Sequence, residues 1–492
     1  MKKTLYLAFL IYALIFQLCN AQTSGKISGK IIDKKNSVAL VGANVIIVQT
    51  QSGTSADKDG YFNIINVSPG KYSVRIMMIG YESITIEDVI VSVNRTTSLD
   101  IEMNQSVIEG QEVVIYASKF SRKKDQTSTM KNISSEEIDI LPVDNLGAVV
   151  NMQAGVVAGH FRGGRNDEVS YMIDGVAVND AFGGVSAVST LEVEAVKDLE
   201  VITGTFNAEY GNAMSGVVNA VTKNGSNEFH GSINTGYSTY LTKNKKNNEE
   251  VFIGLDPFGI NSNSDLRFNI SGPIIKDRVY FFSNFRKQNI SGHLNGIRRF
   301  EVWNLSDFYD QDSSKWYSEN TGDSSYVPMN KGDYTSFMAK LSLNLGSIKI
   351  STMLNQNLSI SRGYNHIYKY NPDGRSHSDG NTTLLMLQLN HFLNEKMFYD
   401  LKFSKTNNDY GSYVFEDYNS FNILQEDGIY QGVYHFAGDT IYNYVNDKYM
   451  TAYGAGFFTG GQDKGHLNRT TITNNLKFDF TWQITNAHNI KT

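Results

Sequence analysis

Cysteine, an excess of basic residues and long apolar runs are scarce or absent in this chain of 492 residues, and each shortage excludes a class of protein. A single cysteine forms neither a disulfide framework nor a cysteine-ligated zinc site. Lysine and arginine (44) are outnumbered by aspartate and glutamate (50), which argues against a nucleic-acid-binding protein, because phosphate neutralisation needs clustered basic residues. Charged residues make up only 19% of the chain, too few for a disordered or coiled-coil protein.

Aromatic residues are abundant instead, with 28 tyrosines and 27 phenylalanines against three tryptophans. Aromatic side chains favour β-structure. Tyrosine at this density also favours an interface or a membrane girdle, because one end of the side chain is apolar and the other is polar. At roughly 150 residues per domain, the length indicates about three domains with sizeable cores.

Residues 1–21 have the pattern of an export signal. Two lysines precede the apolar run Leu5–Phe16, and the small residues Cys19 and Ala21 suit cleavage after Ala21. The run is too short to span a bilayer, and lipid attachment at Cys19 is the alternative fate of this segment. No other apolar run approaches roughly 18 residues, so a mature chain that enters a membrane must do so with β-strands.

Residues 25–104 predict a small β-sandwich. Short apolar strands such as Val45–Val48 and Tyr72–Ile76 are separated by turn sequences, among them Asp57–Gly60 and Ser68–Gly70. Turn signals at intervals of about 8 to 12 residues are typical of an all-β sandwich.

Residues 110–118 contain an isolated extended hexapeptide between polar flanks. Its members are Glu112, Val113, Val114, Ile115, Tyr116 and Ala117. The following segment, Lys119–Lys131, is charged and without periodicity, as a linker is. A hexapeptide of this kind is either an ordinary edge strand or an exposed strand that a partner captures by adding its own strand.

Residues 119–225 carry the densest motifs. Ser134–Glu137 has the form of a capping box and predicts a short helix that stops at Pro142. Glycine turns follow, and their candidate positioning residues are Arg162, Gly163, Arg165, Asp174 and Gly175. Asp174–Gly175 predicts a tight hairpin turn. These glycines match neither phosphate-binding loop pattern, so a nucleotide cofactor is not expected.

Residues 226–492 alternate apolar and polar side chains in long strands. The pattern predicts eight strands, near 229–241, 265–272, 279–288, 335–345, 348–357, 383–393, 397–405 and 471–485. The links between them alternate between short turns, such as 346–347, and long loops, such as 289–334 and 406–470. Strands of about ten residues with this alternation favour a transmembrane β-barrel, whose short turns face the periplasm.

Two parts of the sequence resemble known families. Gly29–Ile31, Val41–Val45, Asp57–Phe62, Pro69–Tyr72 and Gly80–Tyr81 resemble the carboxypeptidase regulatory-like domain. Arg162–Gly163, Asp174–Gly175, Val196–Ile202 and Tyr210–Lys223 resemble the plug domain of TonB-dependent outer-membrane receptors. Thr203–Thr205 departs from the Arg-Gly-Pro that many family members carry there.

The resemblance implies a mainly β fold in three parts: a small β-sandwich, a mixed α/β plug domain and the first part of a large antiparallel transmembrane β-barrel. Plugged transporters need about 22 strands, so the chain is expected to be the N-terminal part of a longer receptor. It also implies that Glu112–Ala117 is a TonB box, gripped by a TonB-type periplasmic coupling protein.

The implied function is energised uptake of an extracellular substrate across the outer membrane, with a ferric siderophore, a glycan or a peptide all open. No enzymatic activity, catalytic residue, metal site or cofactor is expected, and the expected partners are the coupling protein, outer-membrane lipid and the substrate. The alternative is an outer-membrane adhesion or assembly protein that binds a protein partner without transport.

Two residue roles stay open at this point. Arg162 and Arg165 either lie in a solvated surface turn or face carboxylates of the barrel wall, and the family favours the wall. Trp316, Tyr364, His366 and Tyr370 lie in long loops, where they either meet the substrate or order the loops.

Overall fold

The structure is a computed structural model that describes residues 24–93, 95–106, 112–116, 129–143, 145–179, 191–204, 213–240, 245–246, 249–250, 252–255, 263–308, 310–414, 416, 434–436, 439–441, 456–485 and 488–491. The predicted export signal, residues 1–21, lies outside these ranges, as does Ala117. In the described part of the chain, no helix has both the length and the apolar character needed to cross a membrane.

Nine short strands build the first part of the chain. They are β1 (Gly25–Asp33), β2 (Asn44–Ile47), β3 (Gly53–Ser55), β4 (Tyr61–Val67), β5 (Gly70–Met77), β6 (Ser83–Val91), β7 (Thr96–Ser98), β8 (Ile101–Met103) and β9 (Glu112–Tyr116). One sheet has the order β4-β1-β7, with β8 also paired to β1, and the other has the order β3-β2-β5-β6-β9. Buried and partly exposed residues alternate strictly along β1, so one face of that strand points toward the core between the sheets.

The sandwich has its own hydrophobic core. The fully buried side chains Ile27, Ile31, Val45, Val74 and Ile76 belong to one cluster that draws on both sheets. These residues alternate with less buried ones along their strands, as the predicted sandwich requires.

The second part mixes short helices with a five-stranded sheet. Its elements are β10 (Met130–Ser134), α1 (Ser135–Ile140), α2 (Leu146–Asn151), β11 (Val156–Val157), β12 (His160–Phe161), β13 (Val169–Ile173), β14 (Val176–Ala177), β15 (Val196–Ile202) and β16 (Gly216–Thr222). The sheet order is β10-β15-β16-β13-β14, and all seven residues of the central strand β16 are buried. A capping box between Ser134 and Glu137 starts α1, as predicted, and the helix ends before Pro142.

The third part is a wall of long antiparallel strands with short strands in its loops. Its strands are β17 (His230–Ser238), β18 (Lys245–Lys246), β19 (Glu249–Glu250), β20 (Asn263–Ile275), β21 (Val279–Ile290), β22 (Asn295–Ile297), β23 (Ser306–Asp307), β24 (Tyr317–Ser318), β25 (Tyr326–Pro328), β26 (Lys331–Asn344), β27 (Ile348–Arg362), β28 (His377–Asn394), β29 (Met397–Tyr413), β30 (Tyr434–Phe436), β31 (Asp439–Ile441), β32 (Leu467–Gln483) and β33 (Asn489–Lys491). The nine long or edge strands form one open sheet of order β17-β20-β21-β26-β27-β28-β29-β32-β33.

All eight strands predicted for the wall are present, and β33 is a ninth. The links also alternate in length as predicted: residues 276–278, 345–347 and 395–396 are tight turns, whereas the links 291–330 and 414–466 are long. Several strands extend further toward the long loops than predicted; β28 begins at His377 where the sequence predicted residue 383. The mainly β fold class is confirmed, with an open sheet of barrel strands as its largest part.

The two faces of the wall differ in polarity. Leucines such as Leu341, Leu387 and Leu476 are exposed on the outer face, Leu476 at 71%. The alternate residues, among them Lys340 and Lys477, are buried on the inner face. An apolar exposed face and a polar buried face invert the usual arrangement of a soluble sheet and match that of a membrane barrel.

The second part of the chain, called the plug below, packs directly against the inner face of this wall. Its core cluster, which contains Leu146, Phe161 and Leu199, continues into the wall side chains Phe282, Met338, Met353, Leu384 and Met386. Plug and wall therefore share one apolar core, with polar contacts around it.

Candidate functional site

The described residues of the predicted coupling segment, Glu112–Tyr116, belong to the sandwich. Glu112–Tyr116 form β9, which pairs in parallel with Ser83–Glu87 of β6. β9 stands at the end of its sheet, so β6 is its neighbour on one side and the described sheet has no strand on the other. The segment is thus an edge strand whose outer edge can accept a partner strand, while its coupling role stays a prediction.

Asp174 and Gly175 form the two-residue turn between β13 and β14. Ile173 pairs with Val176, and both turn residues have positive φ, +47° and +74°. This is the geometry of a type I′ hairpin, which Asp-Gly sequences favour because glycine adopts positive φ without strain. The turn predicted from the sequence is therefore present.

Side chains of β16 hold this turn from inside the plug. The Asp174 carboxylate accepts hydrogen bonds from the Thr222 backbone N–H (2.8 Å) and the Thr222 hydroxyl (2.6 Å). The Gly175 N–H donates to Asn219 Oδ1 at 3.0 Å. The turn is consequently fixed in one orientation, with its carbonyl oxygens facing the wall.

Three lysines of the wall converge on the turn. Lys340 Nζ lies 2.9 Å from Asp174 Oδ2 and 2.7 Å from Thr222 Oγ1. Lys402 Nζ donates to the Asp174 carbonyl oxygen (3.0 Å), and Lys477 Nζ donates to the Gly175 carbonyl oxygen (2.9 Å). Strands β26, β29 and β32 therefore each contribute one cation to a single plug turn.

The ionisation of Asp174 follows from these contacts. Burial alone would raise the pKa of Asp174, but the charge of Lys340 and the two bonds from Thr222 outweigh burial and hold the pKa below its ordinary value. The carboxylate is therefore an anion at neutral pH, and the contact with Lys340 is a buried ion pair.

A second charged contact joins plug and wall at the short helical turn 192–195. Glu192 binds Arg286 and Glu194 binds Arg267, each at 3.0 Å. Asp265 of β20 bridges the two arginines, at 2.8 Å from Arg267 and 2.7 Å from Arg286. Burial raises the pKa of Glu192 despite the nearby Arg286.

Arg162, Gly163 and Arg165 lie elsewhere than at the wall. Arg162 is exposed, and its guanidinium donates to Thr129 Oγ1 (3.2 Å) and covers the backbone of Gly204, where a Cβ would lie 2.6 Å from it. Arg165 is also exposed, and its backbone N–H donates to Glu168 Oε2 at 3.1 Å. The expectation that these arginines face wall carboxylates is not met in the described residues, because the plug presents carboxylates and the wall presents cations.

The sandwich contacts both plug and wall. The Val93 N–H donates to Asp198 Oδ2 of β15 at 3.0 Å, and Asn132 of β10 donates to the same oxygen at 3.1 Å. Asn66 bonds Asn390 of the wall (2.9 Å) and Lys26 bonds Gln483 (3.1 Å), both near the tight turns. Burial raises the pKa of Asp198 to about 6, despite these hydrogen bonds.

A depression of about 380 Å³ in the loops is lined by Ile297, Arg299, Asn320, Gly322, Ser324, Tyr326 and Tyr370. Of the four loop residues singled out in the sequence, only Tyr370 lines it. Trp316 donates to the Asp310 carbonyl (2.8 Å), and the Tyr364 hydroxyl bonds His366 Nδ1 (2.8 Å), so these three side chains make contacts that order the loops.

Sequence reasoning missed the wall residues that hold the plug. Lys340, Lys477 and Arg267 stand at polar positions of the alternation, which predicts an inward direction but not a partner. Glu192, Glu194 and Asp198 carry no motif signal. Among the described residues, no group of three or more His, Cys, Asp and Glu is arranged to hold a metal ion.

Comparison with known proteins identifies two domains. Residues 27–115 match the family described as the CarboxypepD_reg-like domain, and residues 122–217 match the TonB-dependent receptor plug domain. The first match extends to residue 115 and so includes most of β9, in agreement with the pairing of that strand. The boundaries predicted from the sequence stay predictions.

Curated relatives carry the same family name. The TonB-dependent transporter Oar of Myxococcus xanthus is 27% identical over 282 residues, which are 53% of this chain and 26% of that protein. The TonB-dependent receptor P3 of Formosa agariphila is 25% identical over 250 residues, 48% of this chain and 24% of that protein. The chain thus spans about a quarter of the length of these relatives.

Solved structures include the alcaligin outer-membrane receptor FauA of Bordetella pertussis, at 14% identity and a TM-score of 0.39, covering 59% of this chain and 40% of that one. The outer-membrane transporter YddB of Escherichia coli has 13% identity and a TM-score of 0.46, covering 74% and 46%. The two domain matches and the curated relatives agree: the chain contains a CarboxypepD_reg-like domain followed by a TonB-dependent receptor plug domain, and it is similar to TonB-dependent receptors.

Proposed function

We propose that this chain acts in the outer membrane as a receptor for energised uptake of an extracellular substrate, which is a ferric siderophore, a glycan or a peptide. The observation that carries the proposal is the plug. It shares an apolar core with the inner face of the wall, and the coupling segment precedes it in the chain. A domain that packs on the inner face of a membrane-type wall must move before a solute passes along that face, so the proposed activity is transport and not catalysis.

The proposed mechanism begins at β9. A TonB-type periplasmic protein adds a strand to Glu112–Ala117, because an edge strand offers unpaired backbone groups. Residues 117–129 then transmit the pull to β10, an edge strand of the plug sheet. Asp174, at the opposite edge, is proposed to position the plug through the wall lysines, whereas Arg162, Gly163 and Arg165 are proposed to shape the turn that packs on Gly204.

A substitution in β9 tests this function. Val114→Pro removes a backbone N–H and should abolish strand addition, whereas Val114→Thr keeps both the N–H and a β-branched side chain. Cells that carry the full-length receptor are supplied with labelled ferric siderophore, oligosaccharide and oligopeptide. Uptake should fall to background in the proline variant and in a deletion of Glu112–Ala117, and stay near wild type in the threonine variant.

Surface labelling of the loops supplies the control, because all variants must reach the outer membrane. Unchanged uptake of every substrate in the deletion variant, with the loops still labelled, would contradict transport. That result would favour the alternative, an outer-membrane adhesion or assembly protein.

A further inference from the structure

The depression in the loops is built on a hairpin that the main chain holds in place. Ile297 of β22 pairs with Tyr326 of β25, and the pairing continues past both strands, because the Ser324 N–H donates to the Arg298 carbonyl oxygen at 2.8 Å. On the other side of β22, the Ile297 N–H donates to the Lys369 carbonyl oxygen of the next long loop, also at 2.8 Å. Two long loops are therefore joined by backbone hydrogen bonds where the depression lies.

The two faces of this hairpin differ in charge, because successive side chains of an extended chain point to opposite faces. The face away from the depression carries Arg298, which pairs with Asp323 (3.2 Å) and Asp373 (2.6 Å). The face toward the depression carries Arg299 and Tyr326. Arg299 is exposed and forms no ion pair with any residue that the structure describes. The lining of the depression contains no carboxylate, so its charge is positive.

Aromatic rings and a neutral amide complete the lining. Tyr326 is 55% exposed, and the ring of Tyr370 packs edge-on against Phe457 with 4.9 Å between the centroids. Lys369 Nζ lies 5.4 Å from the centroid of the Tyr370 ring and adds a second cation nearby. Asn320 contributes an exposed amide. A volume of about 380 Å³, ring faces and a few polar groups are the features of a site for a small ligand.

A sugar ring that carries a carboxylate uses each of these groups. The guanidinium of Arg299 presents parallel N–H donors that match the two oxygens of a carboxylate. The C–H face of a sugar ring packs on the face of an aromatic ring such as Tyr326, and its hydroxyl groups hydrogen-bond to an amide such as Asn320. A neutral sugar would make no charged contact with Arg299, and a carboxylate without a ring would leave the tyrosine faces uncovered.

We propose that the depression binds an acidic sugar residue of a glycan, with Arg299 pairing with the sugar carboxylate and Tyr326 packing on the sugar ring. The proposal rests on the proposed function, because it selects the glycan among the three substrate classes named there. The binding site lies in the long loops, so this contact is made before the plug moves.

The test is calorimetric titration of the full-length receptor in detergent with trigalacturonate and with its trimethyl ester, which has the same rings without the charge. Arg299→Gln should weaken the binding of trigalacturonate about tenfold or more, since a hydrogen bond between charged groups is lost, and leave that of the ester unchanged. Arg299→Lys should recover part of the loss, and Tyr326→Ala should weaken both ligands. The matched control is Lys315→Gln, which removes one cation from the same loop and should change neither affinity.

Three results would overturn the proposal: no binding of trigalacturonate, equal affinity of the wild type for the acid and the ester, or equal losses in Arg299→Gln and Lys315→Gln. Tighter binding of trialanine than of trigalacturonate would also overturn it, in favour of a peptide. Because the titration contains no coupling protein, its result is independent of the β9 experiment, and either proposal can fail alone. Retention of the heat-modifiable folded form on electrophoresis shows that the variants have folded.

Discussion

The Asp174 side chain connects the inside of the plug directly to the wall. Its carboxylate accepts two hydrogen bonds from Thr222 of β16 and pairs with Lys340 of β26. All three groups are buried, so water cannot replace a lost partner. Removing the charge of only one partner of a buried ion pair costs about 3 kcal/mol or more, because the other charge stays buried without compensation. Replacing both partners by neutral groups costs less.

Asp174→Asn should therefore destabilise the docked plug by about 3 kcal/mol, because Lys340 keeps its charge without a carboxylate. The double variant with Lys340→Met should recover part of that loss. The measurement is the urea concentration at which the plug becomes sensitive to protease, with the exposed Asp167→Asn as a control in the same domain. Equal midpoints for the single and double variants would show that the pair is not coupled.

Asp198 gives the contact between sandwich and plug a pH dependence. Burial raises its pKa to about 6 in the docked state, and undocking would return it toward its ordinary value of 3.8. The docked state therefore binds the Asp198 proton more tightly than the undocked state. The stabilisation of docking by protonated Asp198 is complete below pH 3.8 and is lost as pH rises through about 6. Over that window docking weakens by up to about a hundredfold, since each pKa unit is a factor of ten.

Asp198→Asn should remove this dependence, because an amide oxygen still accepts the Val93 N–H but does not titrate. Fluorophores on the sandwich and on the plug report the separation of these two parts between pH 4 and 7. The wild type should separate more at pH 7, and the variant should show a flat profile. If the separation changed with pH equally in the wild type and in the variant, a group other than Asp198 would cause the pH dependence.

Among the strands, β9 has the most conspicuous position. It is at once the last strand of the sandwich sheet and the segment predicted to bind the coupling protein. A partner can pair with its outer edge, or it can take β9 away from β6. Only separation of β9 from β6 would let residues 117–129 transmit a pull to the plug without moving the sandwich.

A disulfide between β6 and β9 separates these two courses. Ser83 and Glu112 are direct partners in the register, and paired residues of neighbouring strands lie within the Cα separation that a disulfide allows. Ser83→Cys with Glu112→Cys should lose uptake when oxidised and regain it when reduced. The control lock, Lys71→Cys with Ile90→Cys, joins β5 to β6 and should transport in both states. Normal uptake by the oxidised β6–β9 lock would mean that the coupling protein uses the outer edge alone.

Sequence patterns predicted the elements better than their partners. The period-two alternation predicted all eight wall strands, because apolar and polar side chains alternate along much of each strand. The parallel pairing of β9 with β6 was not predictable, since it joins segments that share no local pattern. The expectation for Arg162 and Arg165 failed for a related reason: residue type indicates that a charge needs a partner, but only the fold decides which surface supplies it.

Across the whole chain, the plug sheet is held at both edges by different neighbours. Its first edge, β10 and β15, contacts the sandwich through Asn132 and Asp198. Its other edge, β13 and β14, contacts the wall through the Asp174–Gly175 turn. The contacts of the plug with the sandwich and those with the wall are structurally independent, because these two sets share no residue.

Deletion of the sandwich, residues 25–104, should therefore loosen only one edge of the plug. Amide hydrogen exchange should accelerate in β10 and β15, which lose their bonds to Val93 and Arg95, and stay unchanged in β13 and β14. The full-length receptor without this deletion is the reference. Uniform acceleration across the plug sheet would show that the sandwich supports the plug as a whole.

The order of strands in the plug sheet also determines when the receptor would leak. On the proposed mechanism, a pull enters at β10, and β15 and β16 lie between that edge and the turn that covers the wall lysines. Small displacements of β10 leave the Asp174–Gly175 turn in place on the wall lysines. Brief or weak pulls therefore do not open a path between plug and wall. On this mechanism, passage begins only when β13 and β14 separate from the wall. A pull below a minimum force would therefore not make the outer membrane permeable.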